Sequence, residues 1–200
     1  MLSRTLLAAA ILTLAASSSN YSFYVFTVEW KPTMCMTTKC VSGYLSTAFN
    51  IHGLWPSTSS GQGPQNCSGA QFSLSSSVTS LLETCWLSDS GSSQTFWQHE
   101  WTKHGTCVVP ATTPDAYFTE VVSLYNRVGV QALLAKAGIT PKNGQAYSLS
   151  KLYEVFTNKV SVACYKSNLE NIEMCFDLNF KQIDCQQQSS TCNGSFTLPE

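Results

Sequence analysis

Nine cysteines run from Cys35 to Cys192, and no two of them form a Cys-x-x-Cys pair. That spacing argues against a zinc ribbon or a redox motif and for a disulfide framework that ties distant parts of one chain together. Two hundred residues suit one such domain, with enough chain for a substantial core. Eight paired cysteines allow on the order of a hundred connectivities, so spacing alone leaves the pairing open. One thiol is left odd.

The amino terminus fits an oxidising compartment. Arg4 supplies a positive start, residues 6–16 an apolar run, and residues 15–18 (Ala-Ala-Ser-Ser) a small-residue cleavage zone. Residues 1–19 are therefore expected to be a signal peptide and residues 20–200 the folded domain. The apolar run is too short to span a membrane, and no later segment is apolar enough to do so. The mature protein is expected to be secreted, extracellular or within a lysosome or vacuole lumen. Asn20, Asn66 and Asn193 begin Asn-x-Ser sequons and are the candidate glycosylation sites. Asn66 is the poorest acceptor, because Cys67 fills its middle position.

Without Arg4 the chain carries ten basic and twelve acidic residues, a net charge of −2. No basic run exists that would hold nucleic acid by phosphate neutralisation. A nucleic-acid substrate would have to be met at a compact site.

Residues 22–30 are aromatic and β-branched, the composition of a central strand, and Pro32 should end it. Residues 48–52 predict a second strand, with Gly53 and Pro56 turning the chain just after His52. Residues 57–69 and 88–95 are expected to be polar loops. Apolar residues at 74, 78, 81, 82 and 86 predict a helix over 72–86. Pro114 and Asp115 open a strongly periodic helix, followed by one over 130–137 with Gly138 past its end. A further helix is expected over 150–160, with Ser150 as its N-cap. Residues 161–166, 172–180 and 194–197 are strand-like. Strands, then helices, then strands predict a single α+β domain with a central antiparallel sheet packed with several helices and stapled by disulfides.

The chemistry gathers in two short segments. The chain has three histidines. His99 and His104 stand in residues 97–107 (Trp-Gln-His-Glu-Trp-Thr-Lys-His-Gly-Thr-Cys), and His52 stands in residues 49–56 (Phe-Asn-Ile-His-Gly-Leu-Trp-Pro). Histidines are the side chains best suited to proton transfer near neutral pH, so their concentration points to joint use. On a helix His99 lies over Lys103 and Glu100 over His104, while Trp97 and Trp101 form an anchoring pair. Gly105 should stop that helix. A zinc helix needs its histidines four residues apart, whereas these are five apart, so no metal or other cofactor is expected. A buried, satisfied histidine cluster is the bland alternative, since so many tryptophans surround it.

These two segments, eight and eleven residues long and about forty residues apart, resemble the two active-site segments of the ribonuclease T2 family. The resemblance implies a secreted endoribonuclease that cleaves single-stranded RNA by metal-free transesterification, leaving 2′,3′-cyclic phosphate ends. It implies His52 as general acid and His104 as general base. His99 would hold the phosphate, and Glu100 and Lys103 would stabilise the five-coordinate phosphorus. Trp55 and then Phe96 are the candidates for stacking on bases. The implied disulfides are Cys35–Cys40, Cys67–Cys107, Cys164–Cys192 and Cys175–Cys185. Cys85 is left free, because Val41 stands where plant-type members have its partner. Ser57 follows Pro56 where several members carry an acidic or amide residue that reads the base, so no base preference carries over.

DNA, lacking the 2′-hydroxyl, would not be cut. No membrane contact is implied, and the chain is expected to act as a monomer. A mildly acidic rate optimum follows, because the mechanism needs a neutral base and a protonated acid. A family member that binds without cleaving is the competing reading, and all five catalytic candidates are intact against it.

Overall fold

The computed structural model describes residues 20–109, 113–186 and 188–200. The expected signal peptide, residues 1–19, lies outside the described residues. Strand β1 (Phe23–Trp30) runs through the middle of the molecule. It pairs antiparallel with β2 (Phe49–Thr58) on one side and with β6 (Asn168–Phe176) on the other. The short strand β3 (Gly61–Gln62) closes one edge against β2. On the far edge of β6 lie β5 (Ser161–Tyr165) and β7 (Gln182–Ile183). Strand β8 (Ser195–Thr197) meets β6 in a single parallel step and pairs antiparallel with β4 (Ala146–Ser148). The domain is α+β, and its named strands pair antiparallel apart from that step.

Alternation along β1 divides its side chains. Tyr24, Phe26, Val28 and Trp30 are fully buried and enter the main core. Phe23 and Val25 face the other way and pack on Cys175 and Cys185. Glu29 shares that second face.

Helices cover the core face. Helix α2 (Ser76–Cys85) starts later than its apolar spacing predicts, because the Ser75 hydroxyl caps the Val78 amide and fixes the start there. Leu81, expected on its apolar stripe, is exposed. Helix α3 (Ser93–Lys103) carries the second motif. Helix α4 (Pro114–Val128) begins at a Thr113 cap and buries Tyr117, Phe118, Val121, Val122 and Leu124. Gly129, at φ 56°, ends α4 and lets α5 (Val130–Lys136) begin at once. Helix α6 (Leu149–Val155) is capped by Ser148 rather than Ser150, and it stops five residues early, at Val155. A helix that sequence did not predict, α1 (Lys31–Thr37), follows β1 directly. Pro32 sits in its first turn, where a missing N–H costs nothing.

The structure joins Cys35 to Cys40, Cys67 to Cys107, Cys164 to Cys192 and Cys175 to Cys185. Cys85 is free and buried, and burial pushes its thiol pKa up. Asn20, Asn66 and Asn193 are all exposed.

Candidate active site

The strand that carries His52 does not turn where its sequence says it should. β2 continues through Gly53 and Pro56 to Thr58. Pro56 is tolerated there because β2 is nearly an edge strand, paired on its outer side only at Ser57 and Thr58. The register against β1 jumps: Thr27 faces Gly53, but Val28 faces Ile51. His52 is the extra residue of that bulge. A bulge re-aims a side chain and adds local twist, which is how one imidazole leaves the alternation of its strand.

Aromatic donors from the helical layer hold this strand in place. The carbonyl of His52 accepts from Trp86 Nε1 at 3.1 Å, that of Leu54 from the Tyr117 hydroxyl at 3.1 Å, and that of Phe49 from the Tyr125 hydroxyl at 2.9 Å. All three partners lie on α4 or just after α2. The helical layer therefore sets the height of the bulge.

Helix α3 supplies the rest. Each residue advances a helix by about 100°, so His99, Lys103, Glu100 and His104 fall in that angular order within about 140° of one another. Trp97 and Trp101 follow next beyond His104 in that order and are buried in the core. The Ser92 hydroxyl caps the helix at Thr95, and His104 is its last, C-capping residue. The Cys67–Cys107 bridge and the Asn66 N–H to Lys103 carbonyl hydrogen bond, 2.8 Å, tie this end to the loop after β3.

The two elements meet in a cleft of about 320 Å³ lined by His52, Trp55, His99, Glu100, Lys103 and His104. Pro56, Ser57, Gly63 and the amides of Gln62 and Gln65 complete its wall. Trp55 is in ring contact with both acid–base candidates, its centroid 5.2 Å from that of His52 and 5.6 Å from that of His104. Its indole N–H donates to Glu100 Oε2 at 3.0 Å. A Cβ on Gly53 would run into both groups of that hydrogen bond, so only glycine fits beneath it. Phe96 packs edge-on against His52 at 5.8 Å, but it does not line this cleft. Ser57 does line it, with its hydroxyl turned back to donate to the Trp55 carbonyl. A larger groove of about 500 Å³ shares Trp55, Ser57 and Gln62 with the cleft and leads over the sheet to Glu173.

Environment separates the titrating groups. Burial pushes the His104 pKa down to about 4, helped by repulsion from Lys103, His99 and His52. Burial also opposes charge on His52, but hydrogen bonding and attraction from Glu29, with Glu100 and Asp89 beyond it, outweigh that cost and raise its pKa. Glu100 is raised by burial, against the Trp55 hydrogen bond and the nearby cations. The cleft thus holds one imidazole that resists a proton, one that retains it, and a carboxyl biased toward its neutral form.

Sequence reasoning missed Glu29, whose Oε2 lies 3.0 Å from His52 Nδ1, together with Tyr44 and Asn50, which hold the other oxygen. The available signal was an acidic residue inside an otherwise apolar strand, where an unpaired charge is costly.

Residues 21–185 match the sequence profile of the Ribonuclease T2 family. The chain belongs to that family. It is 31% identical to ribonuclease DdI of Dictyostelium discoideum over 92% of this chain and 87% of that one. Intracellular ribonuclease LX of Solanum lycopersicum is 30% identical over the full chain and 92% of its own length. Among solved structures, RNase NT in complex with 5′-AMP superposes with a TM-score of 0.78 at 28% identity, covering 90% of this chain and 98% of that one. This ribonuclease T2 is an endoribonuclease, with the α+β fold its motifs imply.

Proposed function

We propose that the cleft cleaves single-stranded RNA with His104 as general base and His52 as general acid. His104 takes the proton of a ribose 2′-hydroxyl. The resulting oxygen attacks the adjacent phosphorus, and the bond to the 5′-oxygen breaks as His52 Nε2 gives that oxygen a proton. The products are a 2′,3′-cyclic phosphate and a free 5′-hydroxyl. In-line displacement needs its base and acid on opposite sides of phosphorus, and here they come from separate elements, each in ring contact with Trp55.

His99 and Lys103 line the same cleft and would hold the phosphate, where fixed donors oppose the charge that builds on its oxygens. Glu100 assists only if it keeps a proton next to an anion, and its burial favours that form. Trp55, half-buried at the cleft and continuous with the larger groove, is placed to stack on a base, and Phe96 is the weaker candidate. DNA lacks the nucleophile and would not react. We further read residues 1–19 as a removed signal peptide and the mature protein as a monomer. Four disulfides suit the extracellular space or a lysosomal or vacuolar lumen. Asn20 and Asn193, and less favourably Asn66, are the proposed glycan acceptors. Among the described residues no helix is long and apolar enough to cross a membrane.

The observation that carries this reading is the cleft that joins a strand imidazole of raised proton affinity to a helix imidazole of lowered affinity. The test is cleavage of one single-stranded RNA, and of the same sequence as DNA, in EDTA near pH 5–6. RNA cut to cyclic-phosphate ends with DNA intact is the expected result. Activity lost in EDTA and restored by zinc would overturn the mechanism.

A further inference from the structure

Glu29 is nearly inaccessible, at 4% exposure, on the central strand of the sheet. A carboxylate in that position must be satisfied on both oxygens, and it is. Oε1 accepts from the Tyr44 hydroxyl at 2.6 Å and from Asn50 Nδ2 at 3.1 Å. Both partners are themselves fully buried. Asn50 is clamped in turn, donating to the carbonyls of Ile51 and Leu87 and accepting from the Leu87 amide at 2.8 Å. Among the described residues, Oε2 has one hydrogen-bond partner, Nδ1 of His52 at 3.0 Å. The carboxylate cannot rotate without breaking its Oε1 bonds, and a carboxylate can only accept. Nδ1 must therefore carry hydrogen.

We propose that Glu29 is a positioning residue for cleavage: held by Tyr44 and Asn50, it fixes the His52 ring and its Nδ1–H tautomer so that Nε2 delivers the proton to the leaving 5′-oxygen. The proposal rests on the reading of His52 as the general acid. When Nε2 gives up its proton, the ring becomes neutral with hydrogen still on Nδ1. Nε2 is then free to accept a proton from water when the cyclic phosphate is hydrolysed. Across that cycle the Nδ1 proton stays in place, and Glu29 gains and loses none.

Other groups facing His52 do not do this. Glu100 and Asp89 attract its charge without touching the ring, and Glu173 on β6 senses it at longer range. His104, across Trp55, repels it. Among these, Glu29 alone is in hydrogen-bond contact with the ring.

The experiment compares the full chain with Glu29→Gln. In the variant Tyr44 and Asn50 keep the amide oxygen on their side, so the amide nitrogen faces Nδ1 and donates to it. RNA cleavage is measured from pH 4 to 8.5, and the His52 ring is titrated by NMR. The alkaline limb of the variant should move down by about one pH unit, cutting its rate at pH 7.5 relative to pH 5 by roughly tenfold. The NMR titration should move with it. In the unaltered protein, ring ¹⁵N shifts above the His52 titration should show hydrogen on Nδ1.

A profile lowered equally at every pH, as misfolding would give, overturns the proposal. An unaltered ring with hydrogen on Nε2 does so as well. His52→Ala separates the two readings. If it cleaves normally, His52 is not the acid; if it is inactive while Glu29→Gln keeps its profile, only the role of Glu29 fails.

Discussion

The bulge of β2 and the end of α3 each present one imidazole to the same cleft, and they treat it in opposite ways. At the bulge, His52 is contacted by a clamped carboxylate, with two more carboxylates nearby, and its proton affinity rises despite burial. At the helix end, His104 is buried at 8% exposure beside Lys103, and within reach of His99 and His52. Burial first, and then repulsion from those charges, lower its pKa to about 4. The same side chain holds a proton more or less firmly according to its burial and the charges that its element brings along. A strand bulge borrows from the neighbouring strand, and a helix end borrows from its own previous turn.

The largest effect should come from removing either imidazole. His52→Ala and His104→Ala are each expected to slow RNA cleavage by about 10²–10⁴-fold, the usual contribution of a positioned proton-transfer group. A nucleoside 3′-aryl phosphate sharpens the comparison, because an aryl oxide departs without needing a proton. On that substrate His104→Ala should stay impaired while His52→Ala recovers most of its rate. Equal defects on both substrates would show that the two residues do not divide the work as assigned.

Lys103 tests the helix side alone. Lys103→Met keeps the bulk and removes the charge, and cleavage should fall by roughly 10²–10³-fold. It also removes a repulsion from His104, so the acidic limb of the profile should move up in pH. In the unaltered enzyme that limb should lie near pH 4, where His104 loses its proton, and the alkaline limb above 6.5, where His52 loses its own. A rate still rising above pH 8 would contradict both assignments.

The helix side was legible in sequence, and the strand side only in part. Helical periodicity fixes which of residues 99, 100, 103 and 104 share a face, so α3 could be drawn before any fold was known. A bulge has no such signature, because it is a mismatch between two strands and appears only when Thr27 and Gly53 are seen opposite each other. Gly53 and Pro56 imitate a turn locally. Gly53 is in fact there to make room for the Trp55–Glu100 bond, and Pro56 is harmless on a strand barely paired on its outer side. Glu29 was hidden for a similar reason: it lies 23 residues before His52 and meets it only across the sheet. Strands β3, β4 and β7, two or three residues each, are too short for any alternation to show.

The contrast also has a signature in stability. The folded-state pKa of His104 is depressed below its unfolded value near 6.5, so between about pH 6.5 and 4 the unfolded chain binds more protons. Stability should therefore fall across that window, by about 3 kcal/mol in full. His52 works in the opposite sense: its raised pKa adds stability present below its unfolded pKa and lost as pH rises through the folded one. Urea unfolding at pH 4.5 and 7 should show a smaller pH dependence in His104→Ala than in the unaltered protein. An unchanged difference would mean that His104 takes up its proton in the folded state as readily as in the unfolded one.

The smallest effect concerns Glu100, which links the two regions through Trp55. Its side chain is buried, and that burial raises its pKa. A carboxyl whose folded pKa is raised gives stability present below its unfolded pKa, and loses it as pH rises through the folded value. At neutral pH burial thus penalises any charge that Glu100 carries. Glu100→Gln keeps an oxygen for the Trp55 N–H and removes the charge, so it should raise stability at pH 7 by about 1 kcal/mol, or roughly 2–4 °C in Tm. The gain should shrink as pH falls and the native carboxyl takes up its proton. The same variant should cleave RNA more slowly, since an amide cannot exchange a proton with the phosphate. A variant destabilised at pH 7 would mean that the bond to Trp55 and the attraction of His52, His99 and Lys103 outweigh the cost of burial. The charge of Glu100 would then serve the fold, while its protonated form serves the chemistry.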